Sequence, residues 1–574
     1  MAMRRIGQIL VDLGHITEEQ LESVLEEQQS RPGELFGSIA VAMGMVNEDQ
    51  VVQAIAEQLG LQVINMTDMV IAPDVLSHLT QPMAELYRVI PIAFKDGTLT
   101  VATCDPQKLS VIDELRSFLG YDIRPCVATE QEILAALDRF YGASGESVES
   151  LISGMEDDAD LAAAAAEAEA KAGAHDITGA EALAESVPVR KLLNMVLLLG
   201  IRDHASDLHF EPFESEFKIR IRADGVLYEM VPPPRHLAFA ITTRIKVMAD
   251  LDIAERRVPQ DGRIRLNVGG HPVDLRVSVL PTMFGESVVC RILDRSVVML
   301  DMGMVGLEPE MLRDFRKVIA RPNGIVLVTG PTGSGKTTTL YGALNELNTV
   351  EDKLITTEDP VEYDMEGIIQ MPIDASIGNT FAQCLRSILR QDPDKILVGE
   401  IRDLETAEIA VQASLTGHMV FSTLHTNDAP STITRLRDMG VPPFLLTATI
   451  EAILAQRLVR KICENCREET MPSMELLADL ELTPDDIADK HFYRGAGCPV
   501  CNNTGFKGRT GLFEFLEVNE ELRELINQGA STEQLRASCI RSGMHSLRDA
   551  GLEKIYSGVT TIEEVVRETV AHMA

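Results

Sequence analysis

Hydrophobic and polar positions follow different periods along this chain and divide it into helical and strand-rich stretches. Near the start, apolar residues such as Leu21 and Val24 recur at helical spacing, which predicts amphipathic helices. From Phe217 to Arg222, apolar and basic residues alternate before a turn at Asp224, which predicts a half-buried strand of a hairpin. The apolar, β-branched run Ile325–Thr329 predicts a buried strand. The pattern is therefore that of a multidomain α/β protein.

An internal repeat with a period of 30 residues lies within the first 140 residues, because Gly7 and Gly14 recur as Gly37 and Gly44. Each copy predicts a short helix that ends at a glycine, followed by a helix with Thr17 or Asn47 as its N-cap. One interpretation is a helical module repeated for packing. The other is a pair of segments that each hold part of a ligand.

Charge separates a linker from the globular parts. Residues 143–186 contain eleven acidic residues and one basic residue, Lys171, and too few large apolar residues for a core. This composition predicts an acidic linker. The whole chain has 52 Lys and Arg against 88 Asp and Glu, a net charge of −36. A surface this acidic repels phosphate backbones, which argues against a nucleic-acid partner.

The cellular compartment is predicted from two features: whether the first residues resemble a secretory signal, and whether any apolar run is long enough to span a membrane. The first residues have no apolar segment of a secretory signal, and no stretch reaches the ~18 apolar residues of a membrane span. Nine cysteines, an odd number, fit a reducing compartment better than a disulfide framework. A cytoplasmic protein is therefore expected.

A phosphate-binding loop follows the strand Ile325–Thr329 directly. Its sequence has the form G-x-x-x-x-G-K-[ST] between a strand and a predicted helix, where backbone N–H groups surround a β-phosphate. Lys336 is expected to bridge β- and γ-oxygens, and the Thr337 hydroxyl to bind Mg²⁺. The predicted ATP-binding residues are Gly330, Pro331, Thr332, Gly333, Ser334, Gly335, Lys336, Thr337 and Thr338.

Acidic residues and histidines end further strands of the same predicted sheet. Glu358 closes a second apolar strand and is expected near the metal, whereas Glu400 follows a third and is expected to orient the attacking water. A fourth strand is flanked by His418 and His425, which are expected to sense the γ-phosphate. Surface acids that merely close strands are the alternative.

Two cysteine pairs, Cys463/Cys466 and Cys498/Cys501, have the form C-x₂-C-x₃₁-C-x₂-C. Four thiolates match the ligand number of a structural Zn²⁺ site, and the alternative, disulfides, conflicts with a reducing compartment. The long segment between the pairs is expected to form helix.

Taken together, these motifs resemble those of the secretion ATPases that power type II secretion and type IV pili. Gly330–Thr337 is similar to their Walker A, Ile355–Glu362 to the Asp box, Leu397–Asp403 to the atypical Walker B and Thr416–Asp428 to the His box. The four cysteines resemble the tetracysteine motif of the secretion and pilus-extension branches. The likeness to the pilus-extension (PilB-like) branch includes the tract Val231–Pro234, and the type II secretion branch is the alternative.

The resemblance implies a domain order. An N-terminal regulatory domain is expected at 1–142, the acidic linker at 143–186, a PAS-like α/β domain at 187–300 and a RecA-like P-loop ATPase domain at 301–574. The zinc subdomain is expected at about 460–510, with helices after it.

The resemblance also implies a mechanism and partners. It implies a homohexamer in which ATP lies between the PAS-like and RecA-like domains, with Arg257, Arg263 and Arg276 as candidates to close on the γ-phosphate. Peripheral recruitment to the cytoplasmic face of the inner membrane, through a platform protein and the ring or stalk proteins of the machine, is implied as well.

The N-terminal repeat resembles the cyclic-di-GMP-binding module of such ATPases. The residues that match it are Arg5, Gly7, Gln28, Gly37 and Gln58, but Leu35 stands where the second copy of that module has arginine. Ligand binding and a pure docking role both stay open. Two further classes also stay open for the whole chain: a nucleic-acid translocase and a nucleotide-binding regulator without turnover.

Overall fold

The computed structural model divides the chain into two compact units, Met1–Ser296 and Val297–Ala574. Most of the predicted linker, together with Leu35 and the Gly269–Gly270 turn, lies outside the described residues. The structure describes residues 5–30, 36–66, 69–76, 78–104, 109–141, 152, 155, 163–164, 182–268, 271–294, 301–480, 482–483, 486–487 and 489–569.

The N-terminal repeat folds as two matching helix pairs. As predicted, Thr17 and Asn47 cap the second helix of each copy. Their own backbone N–H groups donate to the side-chain oxygens of Gln20 and Gln50 at 2.8 and 2.9 Å. The helices are α1 (Ile6–Asp12), α2 (Glu18–Ser30), α3 (Phe36–Ala42) and α4 (Glu48–Leu59).

A three-stranded sheet follows the repeat. Strands β1 and β2 pair antiparallel, and β2 and β3 pair parallel. The strands are β1 (Val89–Lys95), β2 (Thr98–Thr103) and β3 (Asp122–Val127), and the helices around them are α5 (Pro73–Leu76), α6 (Gln81–Tyr87), α7 (Leu109–Leu119) and α8 (Glu130–Tyr141).

The rest of the first unit is a six-stranded antiparallel sheet with the order β6-β5-β4-β9-β8-β7. The alternating segment forms β5, and Asp224 takes the positive φ of a tight turn as predicted. The strands are β4 (Asp207–Pro212), β5 (Phe217–Ala223), β6 (Val226–Glu229), β7 (Gln260–Val268), β8 (His271–Thr282) and β9 (Gly285–Asp294), with helices α9 (Val187–Arg202) and α10 (Ala238–Met248).

The second unit contains a seven-stranded sheet with the order β12-β11-β13-β14-β10-β15-β18. All neighbours are parallel except β15 and β18, so the strands that bear the phosphate-site motifs end at one edge. The strands are β10 (Gly324–Thr329), β11 (Leu354–Glu358), β12 (Ile369–Pro372), β13 (Lys395–Val398), β14 (Met419–Leu424), β15 (Ile450–Ile462) and β18 (Phe506–Glu517).

Helices cover both faces of this sheet, because its central strands are buried on each side. Apolar residues of β10 alternate between two cores: Val326 and Val328 pack in one, and Ile325 and Leu327 in the other. The helices are α11 (Pro309–Ile319), α12 (Lys336–Leu347), α13 (Phe381–Ile388), α14 (Leu404–Leu415), α15 (Ala429–Asp438), α16 (Pro443–Thr449), α18 (Glu520–Asn527), α19 (Thr532–Arg541), α20 (Leu547–Tyr556) and α21 (Ile562–Glu568).

The segment between the cysteine pairs corrects one prediction. Helix was expected there, but the structure has a two-stranded antiparallel sheet of β16 (Arg467–Thr470) and β17 (Phe492–Gly495). Among the residues described between these strands, the one helix is the short α17 (Met474–Asp479). Pairing of these strands brings the ends of the segment, and with them the two cysteine pairs, together. No helix among the described residues has the length and apolar character needed to cross a membrane.

Candidate nucleotide and metal sites

The phosphate-binding loop wraps the carboxyl end of β10 and leads into α12. Gly330, Gly333 and Gly335 take φ values of 147°, 81° and 87°, which side chains rarely adopt, so glycine is required for this path. A Cβ on Gly330 would lie 2.4 Å from the backbone oxygen of Gln456. The loop is thus packed tightly against the neighbouring strand β15.

Lys336 spans the loop with its ammonium group. Its Nζ donates hydrogen bonds of 2.9 Å to the carbonyl oxygens of Gly330 and Pro331. Burial lowers the pKa of Lys336 to about 8, an effect that the charge of Glu400 opposes and that of Arg457 reinforces. An anion in the loop would raise this pKa again and favour the charged form over a wider pH range.

The other loop residues fit a bound nucleotide. Ser334 is buried, and its hydroxyl has no hydrogen-bond partner in the described part of the chain, so it is available to a phosphate oxygen. Thr337 and Thr338 are exposed in the first turn of α12, where a hydroxyl can reach a metal ion. Pro331, Thr332 and Gly333 are exposed along the rim.

Glu400 follows β13 at the same edge of the sheet. One carboxylate oxygen pairs with Arg402 and the other lies 3.4 Å from Nε2 of His425, which follows β14. Arg402 also reaches Asp359 at 3.8 Å. The structure therefore brings Glu400, His425 and Lys336 together around the loop, as the sequence analysis expects.

Glu358 is buried at the end of β11 and held by protein groups on both oxygens. Tyr341, fully buried in α12, and Thr356 donate to it, and Gln370 Nε2 donates at 3.2 Å. Burial and the Glu358 carboxylate raise the pKa of Tyr341, which remains a donor. These three donors leave one acceptor position, on Oε2, with which Glu358 can order water around Mg²⁺ or contact the ion.

His418 and His425 lie at opposite ends of β14. The expectation that both histidines sense the γ-phosphate of one nucleotide is therefore wrong for two histidines of the same chain. His418 precedes β14 at its amino end, and Gly324 at the start of β10 donates to its carbonyl oxygen at 3.3 Å. The length of a six-residue strand, about 20 Å, separates it from the phosphate loop. Its Nδ1 is 2.9 Å from the Ala413 carbonyl oxygen.

Gln456 and Arg457 of β15 were missed by the sequence analysis. Gln456 accepts a 2.7 Å hydrogen bond from the Thr339 hydroxyl, and Arg457 donates at 2.8 Å to the carbonyl oxygen of Asn427. The only signal was two polar residues within the otherwise apolar run Ala452–Val459.

The four cysteine sulfurs lie within 4.8 Å of one another. Sulfur–sulfur distances are 3.9 Å for Cys463–Cys498, 3.8 Å for Cys466–Cys501 and 3.7 Å for Cys498–Cys501. A tetrahedral Zn²⁺ with bonds of about 2.3 Å requires about 3.8 Å between sulfurs, so the donor set fits this ion. All nine cysteines are free thiols, and the disulfide alternative is not supported.

Hydrogen bonds prepare two of these thiols as thiolate ligands. The side chain of Asn465 donates to Cys498 at 3.3 Å and lowers the pKa of that thiol to about 6. The backbone N–H of Gly505 donates to Cys501 at 3.3 Å. With four protein ligands the site would have no open position, so the ion would stabilise the fold and not catalyse.

The arginine candidates belong to the first unit. Arg263 in β7 lies directly opposite Arg276 in β8, which itself lies opposite Arg291 in β9, so three arginines form a row across the sheet. Arg257 is 81% exposed on the preceding loop and pairs with Glu255, whose pKa this contact lowers to about 2. Such a row favours a bound anion.

The repeat residues have different surroundings. Arg5 is exposed at the start of α1. Added Cβ atoms on Gly7 and Gly37 would lie 2.4 Å from Leu21 and 2.7 Å from Val51, so both glycines allow close helix packing. Gln28 and Gln58 lie near the ends of α2 and α4, and both have contacts with neighbouring groups.

Comparison with known proteins adds the family. Residues 182–567 match the model of the Type II/IV secretion system protein family, and residues 59–147 match that of the MshEN domain. The chain therefore belongs to the Type II/IV secretion system protein family. It is an ATPase with a RecA-like α/β fold and an N-terminal MshEN region, and the predicted fold class and activity are confirmed.

Individual relatives fall into two functional groups. The type IV pilus assembly ATPase PilB of Myxococcus xanthus is 44% identical over 568 residues, which cover 98% of this chain and 99% of that protein. The type II secretion system protein E of Xanthomonas campestris is 43% identical over 531 residues, 92% of each. The solved pilus retraction motor PilT with bound ADP is 25% identical and covers 66% of this chain and 97% of its own, with a TM-score of 0.45.

Proposed function

We propose that this chain is a hexameric motor that hydrolyses ATP to power type IV pilus assembly, the polymerisation of pilin. The observation that carries the proposal is the 44% identity to a pilus assembly ATPase over nearly the full length of both chains. A type II secretion ATPase is the second candidate, which the 43% identity over 92% of each chain favours.

The site residues have distinct roles in this proposal. Lys336 would donate to the β- and γ-phosphate oxygens. The Thr337 hydroxyl and water ordered by Glu358 would hold Mg²⁺, and the ion would neutralise phosphate charge. Glu400 orients the attacking water, and His425 holds the Glu400 carboxylate from the next strand. Arg257, Arg263 and Arg276 supply positive charge to the γ-phosphate when the ring closes.

Domain roles and location are part of the same proposal. Residues 1–142 regulate, 143–186 link, 187–300 form the PAS-like domain and 301–574 hydrolyse ATP, with Zn²⁺ at the four cysteines. The motor works in the cytoplasm at the inner membrane, where a platform protein and ring or stalk proteins receive its motion. The net charge of −36 disfavours a nucleic-acid translocase.

Cyclic-di-GMP is proposed as the regulator bound by Arg5, Gly7, Gln28, Gly37 and Gln58. The exposure of Arg5 leaves it accessible to a ligand, and the match to the MshEN model, residues 59–147, begins directly after these five residues. Titration calorimetry of the full chain with cyclic-di-GMP tests it, with Arg5→Ala as the variant. Binding that Arg5→Ala does not weaken would contradict the assignment of Arg5.

An allele with Lys336→Ala, introduced into the organism that encodes the chain, separates the two candidate machines. Loss of surface pili with normal secretion of folded exoproteins supports pilus assembly, and the reverse supports type II secretion.

Native mass spectrometry of the purified chain with ATP tests the hexamer. Nucleic acid that stimulates ATP turnover at low salt would favour the translocase instead.

A further inference from the structure

Two consecutive residues of β15, Gln456 and Arg457, are polar and almost fully buried, with 2% and 5% exposure. Successive side chains of a strand point to opposite faces of the sheet. The two residues therefore contact different parts of the nucleotide site from a single rigid element.

On one face, Gln456 holds the phosphate loop. Its Oε1 accepts a 2.7 Å hydrogen bond from the hydroxyl of Thr339 in the first turn of α12. Its Nε2 lies 2.8 Å from the position that a Cβ on Gly335 would occupy. Gln456 thereby fixes the loop and the start of the helix relative to β15.

On the other face, Arg457 holds the loop that follows β14. Its Nη2 donates to the Asn427 carbonyl oxygen at 2.8 Å, and its Nη1 donates to the Gln456 carbonyl oxygen at 3.1 Å. Asn427 comes two residues after His425, the residue that contacts Glu400. Arg457 thereby fixes the backbone that presents His425.

Arg457 is costly for stability. Its hydrogen-bond partners are two backbone oxygens and the Asn427 amide oxygen, and no carboxylate in the described part of the chain forms an ion pair with it. Burial lowers the pKa of its guanidinium, and the charges of Glu568, Asp428 and Glu514 oppose this effect without reversing it. An apolar residue of similar length would avoid the cost of burying a charge without an ionic partner, so stability does not explain an arginine here.

We propose that Gln456 and Arg457 are positioning residues which set the geometry between the phosphate loop and the Glu400–His425 pair. Gln456 places Lys336, Arg457 places His425, and neither touches the nucleotide. Gln456 acts on the phosphate loop, whereas Arg457 bonds the loop after β14 and borders the phosphate loop only at Gly330, where a Cβ would lie 3.2 Å from its Nη1. The main effect of losing Gln456 is therefore on nucleotide binding, and that of losing Arg457 is on hydrolysis.

The test compares variants of the purified full-length chain in ATP affinity, kcat and thermal midpoint. Arg457→Met should lower kcat by up to about 10²-fold, since a misplacement of about 1 Å has such an effect, while the Kd for ATP changes by less than about twofold. Arg457→Lys, which keeps one donor for Asn427, should recover most of the lost kcat. Gln456→Leu should raise the Kd for ATP by about tenfold, the effect of about 1.4 kcal/mol.

Lys461→Gln removes a positive charge from the same strand and serves as the matched control, with unchanged kcat and Kd expected. Unchanged kcat in Arg457→Met, a joint loss of kcat, affinity and thermal midpoint, or failure to fold would each overturn the proposal. The assay needs only the protein and ATP, so its outcome is independent of whether the chain serves pili or secretion.

Discussion

Nε2 of His425 lies 3.4 Å from Oε2 of Glu400, while the second oxygen of that carboxylate pairs with Arg402. Both oxygens of Glu400 are therefore occupied by groups at the ends of neighbouring strands. Each oxygen keeps a second lone pair, so Glu400 can orient a water molecule while His425 and Arg402 fix the direction of its carboxylate.

Replacement of Glu400 by glutamine should stop hydrolysis and leave ATP bound. Glutamine keeps the shape of the side chain but cannot accept a proton from water, so turnover should fall by about 10²- to 10⁴-fold. Phosphate release and filter-bound ATP measure the two effects. Glu405→Gln, in the exposed first turn of α14, is the matched control, and undiminished turnover in Glu400→Gln would refute the role of Glu400.

The pH dependence of ATP binding should report on Lys336. Because its pKa is lowered to about 8, Lys336 loses its charge in the free protein above that pH, whereas bound phosphate favours the charged form. ATP affinity should therefore fall by up to about tenfold per pH unit above pH 8, with proton uptake on binding. Calorimetry in two buffers of different ionisation heat measures the uptake.

Two variants separate Lys336 from other titrating groups. Lys336→Arg keeps its charge over this range, so the proton uptake should disappear. Lys336→Ala should abolish nucleotide binding. Proton uptake that persists in Lys336→Arg would assign it to another group.

Sequence alone predicted the features whose determinants are local. The caps at Thr17 and Asn47, the P-loop and the cysteine pairs are short motifs, and each forms the local structure expected. The position of His418 was missed because two histidines that flank one strand lie at opposite edges of the sheet. Gln456 and Arg457 were missed because their partners are 117 and 30 residues away in sequence.

Loss of one cysteine should remove the metal and unfold its subdomain. Cys463→Ser leaves three thiolates, too few for a closed tetrahedral site that ties the two cysteine pairs together. Zinc content by atomic emission and the cooperativity of thermal unfolding measure this, with Cys104→Ser as the control. The metal site would be refuted if the parent protein contains no zinc and the Cys463→Ser variant keeps its structure.

Glu514 should make stability depend on pH. Its Oε1 accepts a 2.7 Å hydrogen bond from the backbone N–H of Ala429 at the start of α15, and the backbone N–H of Leu547 donates to its other oxygen at 3.4 Å. Burial raises the pKa of Glu514 to about 7, above its value of 4.5 in the unfolded chain. The folded state therefore holds a proton that the unfolded state releases between these values.

Protonation of Glu514 therefore stabilises the folded state fully below pH 4.5, and this stabilisation is lost as the pH rises through 7. Over that range the free energy of unfolding should fall by about 3 kcal/mol. Glu514→Gln keeps an oxygen acceptor and cannot ionise, so its thermal midpoint should fall less between pH 5 and pH 8 than that of the parent. Glu524→Gln, on the exposed side of α18, should behave like the parent. If the parent and Glu514→Gln lose stability in parallel over this range, Glu514 is not the group that titrates.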